Sequence, residues 1–479
     1  MLFNSLEFLL FFPTVTLLYF LLPHRFRWFL LLAASCIFYC VFIPVYIFIL
    51  LFTIIIDYFA GIYIHESEGK RKKTFLIASL VANIGILCVF KYNNFFIDNV
   101  NAVLHALSLP VKPIPFWDII LPLGLSFHTF QAMSYTIEVY RGNQAPERHF
   151  GIYALYVMFY PQLVAGPIER PQNIMHQYHE HHRFNPAMFL DGLRLMLWGL
   201  FKKVVIADRL SLYVNTVYDD PSKYHGLNIL IAVFMFAIQV YCDFSGYSDI
   251  ALGSAQTMGF RLMTNFNRPF LYATNITEFW RRWHISLYTW FNDYLYTPLV
   301  IAFRDYGKWG IAGAIMITFM FSGLWHGADW AFVIYGLLHG CALVYEMLTK
   351  KWRKKLSKKA PSGIYIFSST VLTFVVVSVI WIFFRAGNID KAIVVFKSLL
   401  TNYHIQQFAW LIGKKFGTHS LLLSAVFVSA MAFVERFTSP GLTELNRNKY
   451  VDVLFCSVVL ALIISFGVFT NNSFIYFQF

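Results

Sequence analysis

Apolar positions in this chain fall in long runs; they form neither the stripe of an amphipathic helix nor the alternation of a half-buried strand. Runs near the length of a bilayer crossing recur at 6–22, 28–43, 45–64, 74–92, 151–166, 187–207, 226–242, 288–303, 309–325, 328–348, 365–385, 418–435 and 451–470. They predict an all-α polytopic membrane protein with about ten to thirteen crossings. Several runs are short or broken by Gly and Pro, as in LPLGLSF (121–127) and YPQLVAGPIERP (160–171). Such pieces are expected to be tilted or re-entrant, with protein or water satisfying their backbone. With no fixed-period repeat and no low-complexity tract, one integral-membrane domain over 1–479 is expected.

Composition strengthens this picture. Hydrophobic residues make up 58% of the chain and charged residues only 13%, and the mean hydropathy is +0.57. A soluble domain of this length needs a more charged surface. The net charge of +13 raises nucleic acid as a partner, but the Lys and Arg residues sit in short loops between apolar runs, which excludes it and leaves membrane lipid. The basic runs Lys70-Arg71-Lys72-Lys73 and KKWRKKLSKK (350–359) are expected in the cytoplasm. Counting back through three helices puts the His24-to-Arg27 turn in the cytoplasm too and the N terminus outside. The run at 350–359 puts the C-terminal end of 328–348 in the cytoplasm, and so His326, just before its start, toward the outer side. Segment 1–22 carries Glu7 and no basic residue before its apolar run, so it is expected to stay as a helix. The six cysteines show no CxxC pair, which indicates neither a disulfide framework nor a zinc site.

Against this background MFSGLWHGADWAFVIYGLLHG (320–340) raises a question, because ionisable side chains at membrane depth cost free energy unless paired or wetted. On a helix Ser322 lies one turn before His326 and Asp329 near one turn after, with Gly323 and Gly327 inviting a break. A neutral imidazole can take a proton from a hydroxyl while a carboxylate supports its geometry, and function outweighs a packed, hydrogen-bonded histidine here. In TEFWRRWHISLYTWFNDYLYTPL (277–299) the aromatic and basic mixture suits the headgroup boundary. Arg281 and Arg282 could bind donor phosphates with His284 assisting, or snorkel to lipid, and both readings stand. In QVYCDFSGYSD (239–249), Gln239, Asp243 and Asp249 could line a tunnel if Gly246 breaks the helix, or mark an ordinary helix end. The tract HQYHEHH (176–182) is read as a polar loop and not a metal site.

WRRWHISL (280–287), followed about forty residues later by SGLWHGADW (322–330), resembles the membrane-bound O-acyltransferase family. The start MLFNSLEFLLFFP, segments 121–142 and 159–171, and YCDFSGYSDIALGSAQTMGF (241–260) extend the likeness over nearly the whole chain, toward the integral-membrane subunits of alginate O-acetylation. The resemblance implies a ring of tilted helices with re-entrant segments around a central funnel and tunnel. It implies His326 as the principal catalytic residue and His284 as a second functional one. It also implies transfer of acetyl from a cytoplasmic thioester, acetyl-CoA, with no bound cofactor, for O-acetylation of an extracellular polysaccharide. A bacterial inner-membrane location and a periplasmic polysaccharide acetyltransferase partner follow from the same likeness. The alternatives are D-alanyl transfer from a carrier protein, or a non-catalytic transporter or anchor, although the inverted repeats common in transporters are absent from the sequence.

Overall fold

The computed structural model describes residues 1–109, 111–401, 418–438, 449–469 and 474–475, and these are helical with no strand among them. Residue 470, the end of the last expected run, lies outside the described residues. Eight described helices are long and apolar enough to cross a membrane. The chain packs as two compact units, Met1–Gly192 with Ala251–Met263, and Leu193–Ile250 with Thr264–Phe479.

In the first unit, helices Leu6–Leu21, His24–Cys40 and Ile47–Glu66 precede the basic start of Gly69–Leu87, the helix count the charge argument uses. The run expected at 151–166 is a nine-residue helix, Phe150–Met158, followed by a buried, non-helical stretch over 159–170. Protein groups satisfy that stretch: the Tyr156 hydroxyl donates to the Glu169 carbonyl at 3.0 Å, and the Tyr160 amide donates to Ser35 Oγ at 3.0 Å. This is the condition under which irregular backbone survives away from water.

The second unit holds most of the chemistry-bearing sequence. The run expected to end at 242 continues as one helix, Leu227–Thr257. Gly246 does not break it. A Cβ there would come 2.7 Å from the Gly199 carbonyl oxygen, so this glycine admits a neighbouring backbone. The expected run 288–303 is interrupted by a π-turn over Asn292–Tyr296, just before Pro298, whose missing N–H cannot continue the α-helical ladder. The tryptophans of segment 277–299 face the protein interior. Trp280, Trp283 and Trp290 are buried among other rings, because packing against aromatic neighbours outweighs the pull of the interface on the indole N–H.

Two helices frame the site. The histidine helix, Gly307–His326, and the basic helix, Trp330–Lys359, run antiparallel and are joined at 327–329. Gly323, expected to invite a break, lies inside the histidine helix and faces Gly336 across the pair. A Cβ on Gly323 would sit 2.1 Å from the Phe332 carbonyl oxygen, and one on Gly336 would sit 2.1 Å from that of Phe319. The two glycines let the backbones meet as small residues do between membrane helices.

Candidate functional site

The corner between these helices positions His326. The histidine helix stops there, Gly327 is extended, and Asp329 caps the basic helix by accepting the Ala331 amide at 2.7 Å. Asp329 therefore fixes where the next helix begins, directly behind the histidine. His326 is buried, with its ring edge-on to Trp325 at 5.0 Å, Tyr335 at 5.6 Å and Phe384 at 5.4 Å.

His284 reaches the same indole from another element, 5.8 Å from the ring of Trp325. It stands between helices Ile276–Trp280 and Ile285–Phe291 with φ at +44°, a left-handed conformation that costs a residue with a Cβ about 1 kcal/mol or more. Asn265 holds it there. The Asn265 side-chain oxygen accepts from His284 Nδ1 at 3.2 Å, from the Ser286 amide at 3.2 Å and from Ser286 Oγ at 2.9 Å. With Nδ1 donating, Nε2 is the proton-free nitrogen. Burial pushes the His284 pKa down to about 3, so the ring is neutral.

A cavity of about 800 Å³ opens between the two framing helices and the 275–296 segment. Its lining on the basic helix runs from Leu343 to the cations Lys350, Arg353 and Lys354, and it also includes Trp280, Arg281, Phe319 and Ser322. From Leu343 to Ser357 its wall on the basic helix covers about 21 Å at 1.5 Å per residue. Ser322 is one helical turn from His326, and on the basic helix the cations at 350–354 lie toward the end of the lining away from Leu343. Two acids temper that charge: Glu278 pairs with Arg282 at 2.6 Å, and Glu346 lies 3.6 Å from Arg353. Arg281, Lys350 and Lys354 keep no ion-pair partner among the described residues. Glu346 also accepts the Ile276 and Thr277 amides at 2.6 and 3.0 Å, and so ties the helix before His284 to the basic helix.

The structure separates the remaining candidates from this cavity. Arg282 does not line it; its guanidinium is held by Glu278 and stacks over Tyr272. Asp243 meets Lys203 at 2.6 Å and accepts the Ile475 amide at 2.7 Å, and Asp249 meets Lys202 at 2.6 Å. Gln239 is buried on the same helix, away from the lining. None of these three lines the cavity; Asp243 and Asp249 sit in a buried ion network completed by Asp208 at 3.0 Å from Lys203 and Glu435 at 3.6 Å from Lys202. In the 176–182 tract, His179 pairs with Glu147 at 2.8 Å and His182 with the Gln177 carbonyl at 2.8 Å. Sequence reasoning passed over Asn265, Glu346, Tyr335, His339, Lys202 and Lys203. The lysine pair was the one with a visible signal, two charges inside the apolar run 187–207.

A helical membrane protein that buries two histidines near a long cavity partly lined by cations has parts that suit an acyltransferase. The chain belongs to the membrane-bound O-acyltransferase family, whose family model matches residues 148–386. It is 36% identical to the probable alginate O-acetylase of Azotobacter vinelandii, over 82% of this chain and 76% of that protein. It is 31% identical to the peptidoglycan O-acetyltransferase of Helicobacter pylori, over 93% and 84%. The teichoic acid D-alanyltransferase of Bacillus subtilis is 28% identical over 56% and 69%. The protein is therefore a multi-pass membrane O-acyltransferase.

Proposed function

We propose that this acyltransferase takes an acetyl group from cytoplasmic acetyl-CoA and passes it, at His326, to a hydroxyl presented from the outer side, for O-acetylation of an extracellular polysaccharide such as alginate. One observation carries the reading: a single cavity is lined both by Arg281, Lys350 and Lys354, which keep no ion-pair partner among the described residues, and by Ser322, one turn from His326. These cations suit the phosphates of a nucleotide thioester. They also suit a cytoplasmic face. His326 takes the acceptor's proton as its oxygen bonds to the thioester carbon. The carbon–sulfur bond then breaks, and the thiolate takes that proton back. A thioester needs mainly alignment and proton removal, which suits an imidazole walled by rings. The names of the relatives support a hydroxyl-bearing wall or capsule polymer as the acceptor class, reached directly or through a periplasmic acetyltransferase in the bacterial inner membrane.

The test is transfer by purified protein in nanodiscs, with radiolabelled acetyl-CoA on one side and alginate oligosaccharide, with and without a periplasmic acetyltransferase, on the other. Acetyl transfer that vanishes in His326→Ala is expected. Use of a D-alanyl-loaded carrier protein in place of acetyl-CoA would overturn the donor assignment.

A further inference from the structure

His339 takes no part in the scheme above, yet its setting is hard to explain as packing. The side chain is fully buried, and neither ring nitrogen has a hydrogen-bond partner among the described residues. Four rings enclose it. Trp280 and Tyr335 stand edge-on at 5.0 Å, Phe279 lies parallel at 6.4 Å, and Phe319 lies at 6.5 Å. A phenylalanine would fill this box without desolvating two polar atoms, so the imidazole carries a cost that packing does not require.

Its place explains what could repay that cost. Trp280 and Phe319 line the cavity and also pack on His339, and Leu343, one turn further along the basic helix, lines it as well. The imidazole is therefore one side chain beyond the cavity wall. Trp280 brings a second buried group without a partner among the described residues, its indole Nε1. The two differ in kind: an indole N–H can only donate, while a neutral imidazole both donates and accepts. Together they match an amide, with the carbonyl oxygen taken by Trp280 and the N–H by His339. On the far side Tyr335 packs against both His339 and His326, so a group held at His339 is separated from His326 by a single ring.

We propose that His339, with Trp280, binds the amide nearest the sulfur in the pantetheine arm of the thioester donor, and so sets how far the acyl group advances toward His326. The assignment rests on the donor reading above. In a pantetheine thioester a short ethylene spacer separates that amide from the sulfur, so holding the amide at His339 leaves the thioester carbon to extend past Tyr335 to His326. His339 is in this sense a positioning residue that touches the donor away from the reacting atoms.

The test uses the full chain in detergent and radiolabelled acetyl-CoA binding, with two competitors. S-acetyl-N-acetylcysteamine carries the thioester and the inner amide only, and adenosine 3′,5′-bisphosphate carries the nucleotide end only. His339→Phe keeps the ring packing and should weaken competition by the cysteamine thioester about 10-fold, the value of one well-made hydrogen bond, while leaving the bisphosphate unchanged. His339→Gln, which restores an amide-binding group, should recover most of the loss. Trp280→Phe, which removes the indole N–H, should show the same selective loss and serves if His339→Phe does not assemble. Equal competition by the cysteamine thioester in wild type and His339→Phe, or equal weakening of both competitors, would overturn the proposal. Absence of acetyl-CoA binding in wild type would instead defeat the donor reading on which it rests.

Discussion

Replacing Arg281 by alanine should raise the acetyl-CoA concentration needed for half-maximal transfer about 5- to 10-fold, while Arg282→Ala should change it less than about twofold. The difference comes from where the two guanidinium groups sit. Arg281 lines the cavity without an ion-pair partner among the described residues, whereas Arg282 is held by Glu278 at 2.6 Å and lies outside the lining. A hydrogen bond between charged groups contributes about 1.5–3 kcal/mol. At an exposed site, solvent screening brings this nearer 1 kcal/mol, or about fivefold in affinity. Losing the partly exposed pair of Arg282 with Glu278 costs only about 0.3–0.5 kcal/mol, and that cost falls on stability more than on donor binding. The assay is initial-rate transfer at varied acetyl-CoA and saturating acceptor, so that a change in donor use is read apart from the maximal rate. Raising the salt concentration should shrink the Arg281 effect, since screening acts on the same contact. If Arg281→Ala leaves the donor dependence untouched, or both variants change it equally, Arg281 is not where donor phosphate binds.

Four further outcomes follow from the geometry. His326→Ala should abolish transfer, whereas Ser322→Ala should leave much of it, with no label on the protein when radiolabelled acetyl-CoA is given without acceptor; label that chases into acceptor and is lost in Ser322→Ala would make Ser322 a nucleophile. Asn265→Ala removes the acceptor of three hydrogen bonds around His284 and should destabilise the protein by roughly 3 kcal/mol, read as a lowered melting temperature together with lost transfer. Lys203→Met leaves the buried carboxylates of Asp243 and Asp208 without their cation and should cost about 3–5 kcal/mol, measured as lost yield of assembled protein, while assembled molecules keep the wild-type donor dependence. A cysteine introduced at 66–73 or 351–359 should label only from the cytoplasmic side, and labelling of either from outside would reverse the orientation of the site.

His326 stands out in the sequence as a candidate because an ionisable side chain in an apolar run has few explanations. The helical class was legible because lipid demands long apolar runs. What the sequence hid depends on partners far along the chain. Asp243 and Asp249 look like tunnel polarity until Lys203 and Lys202, about forty residues earlier, are found to neutralise them. Gly246 and Gly323 look like breaks, since a glycine read in isolation signals flexibility; only the opposing Gly199 and Gly336 reveal close packing. The tryptophans of 277–299 look interfacial because their composition is, and their ring partners come from elements as distant as Trp381. Asn265 could not have been singled out at all. Its role rests on one carboxamide oxygen facing a left-handed histidine nineteen residues away.

The same chain thus handles buried polar groups in two ways, and the contrast separates structure from chemistry. Lys202 and Lys203 are buried with carboxylates 2.6 Å away, an arrangement in which charge is cancelled and geometry locked. The histidines of the candidate site pack against rings: His326 against Trp325, Tyr335 and Phe384, His284 against Phe244 and Trp325. Aromatic walls exclude water and hold each ring in place. Asp329 accepts the amide of Ala331 and so shapes the corner that carries His326. The expense of placing Lys202 and Lys203 in an apolar run is met by pairing with carboxylates, which cancels the charge and holds the fold.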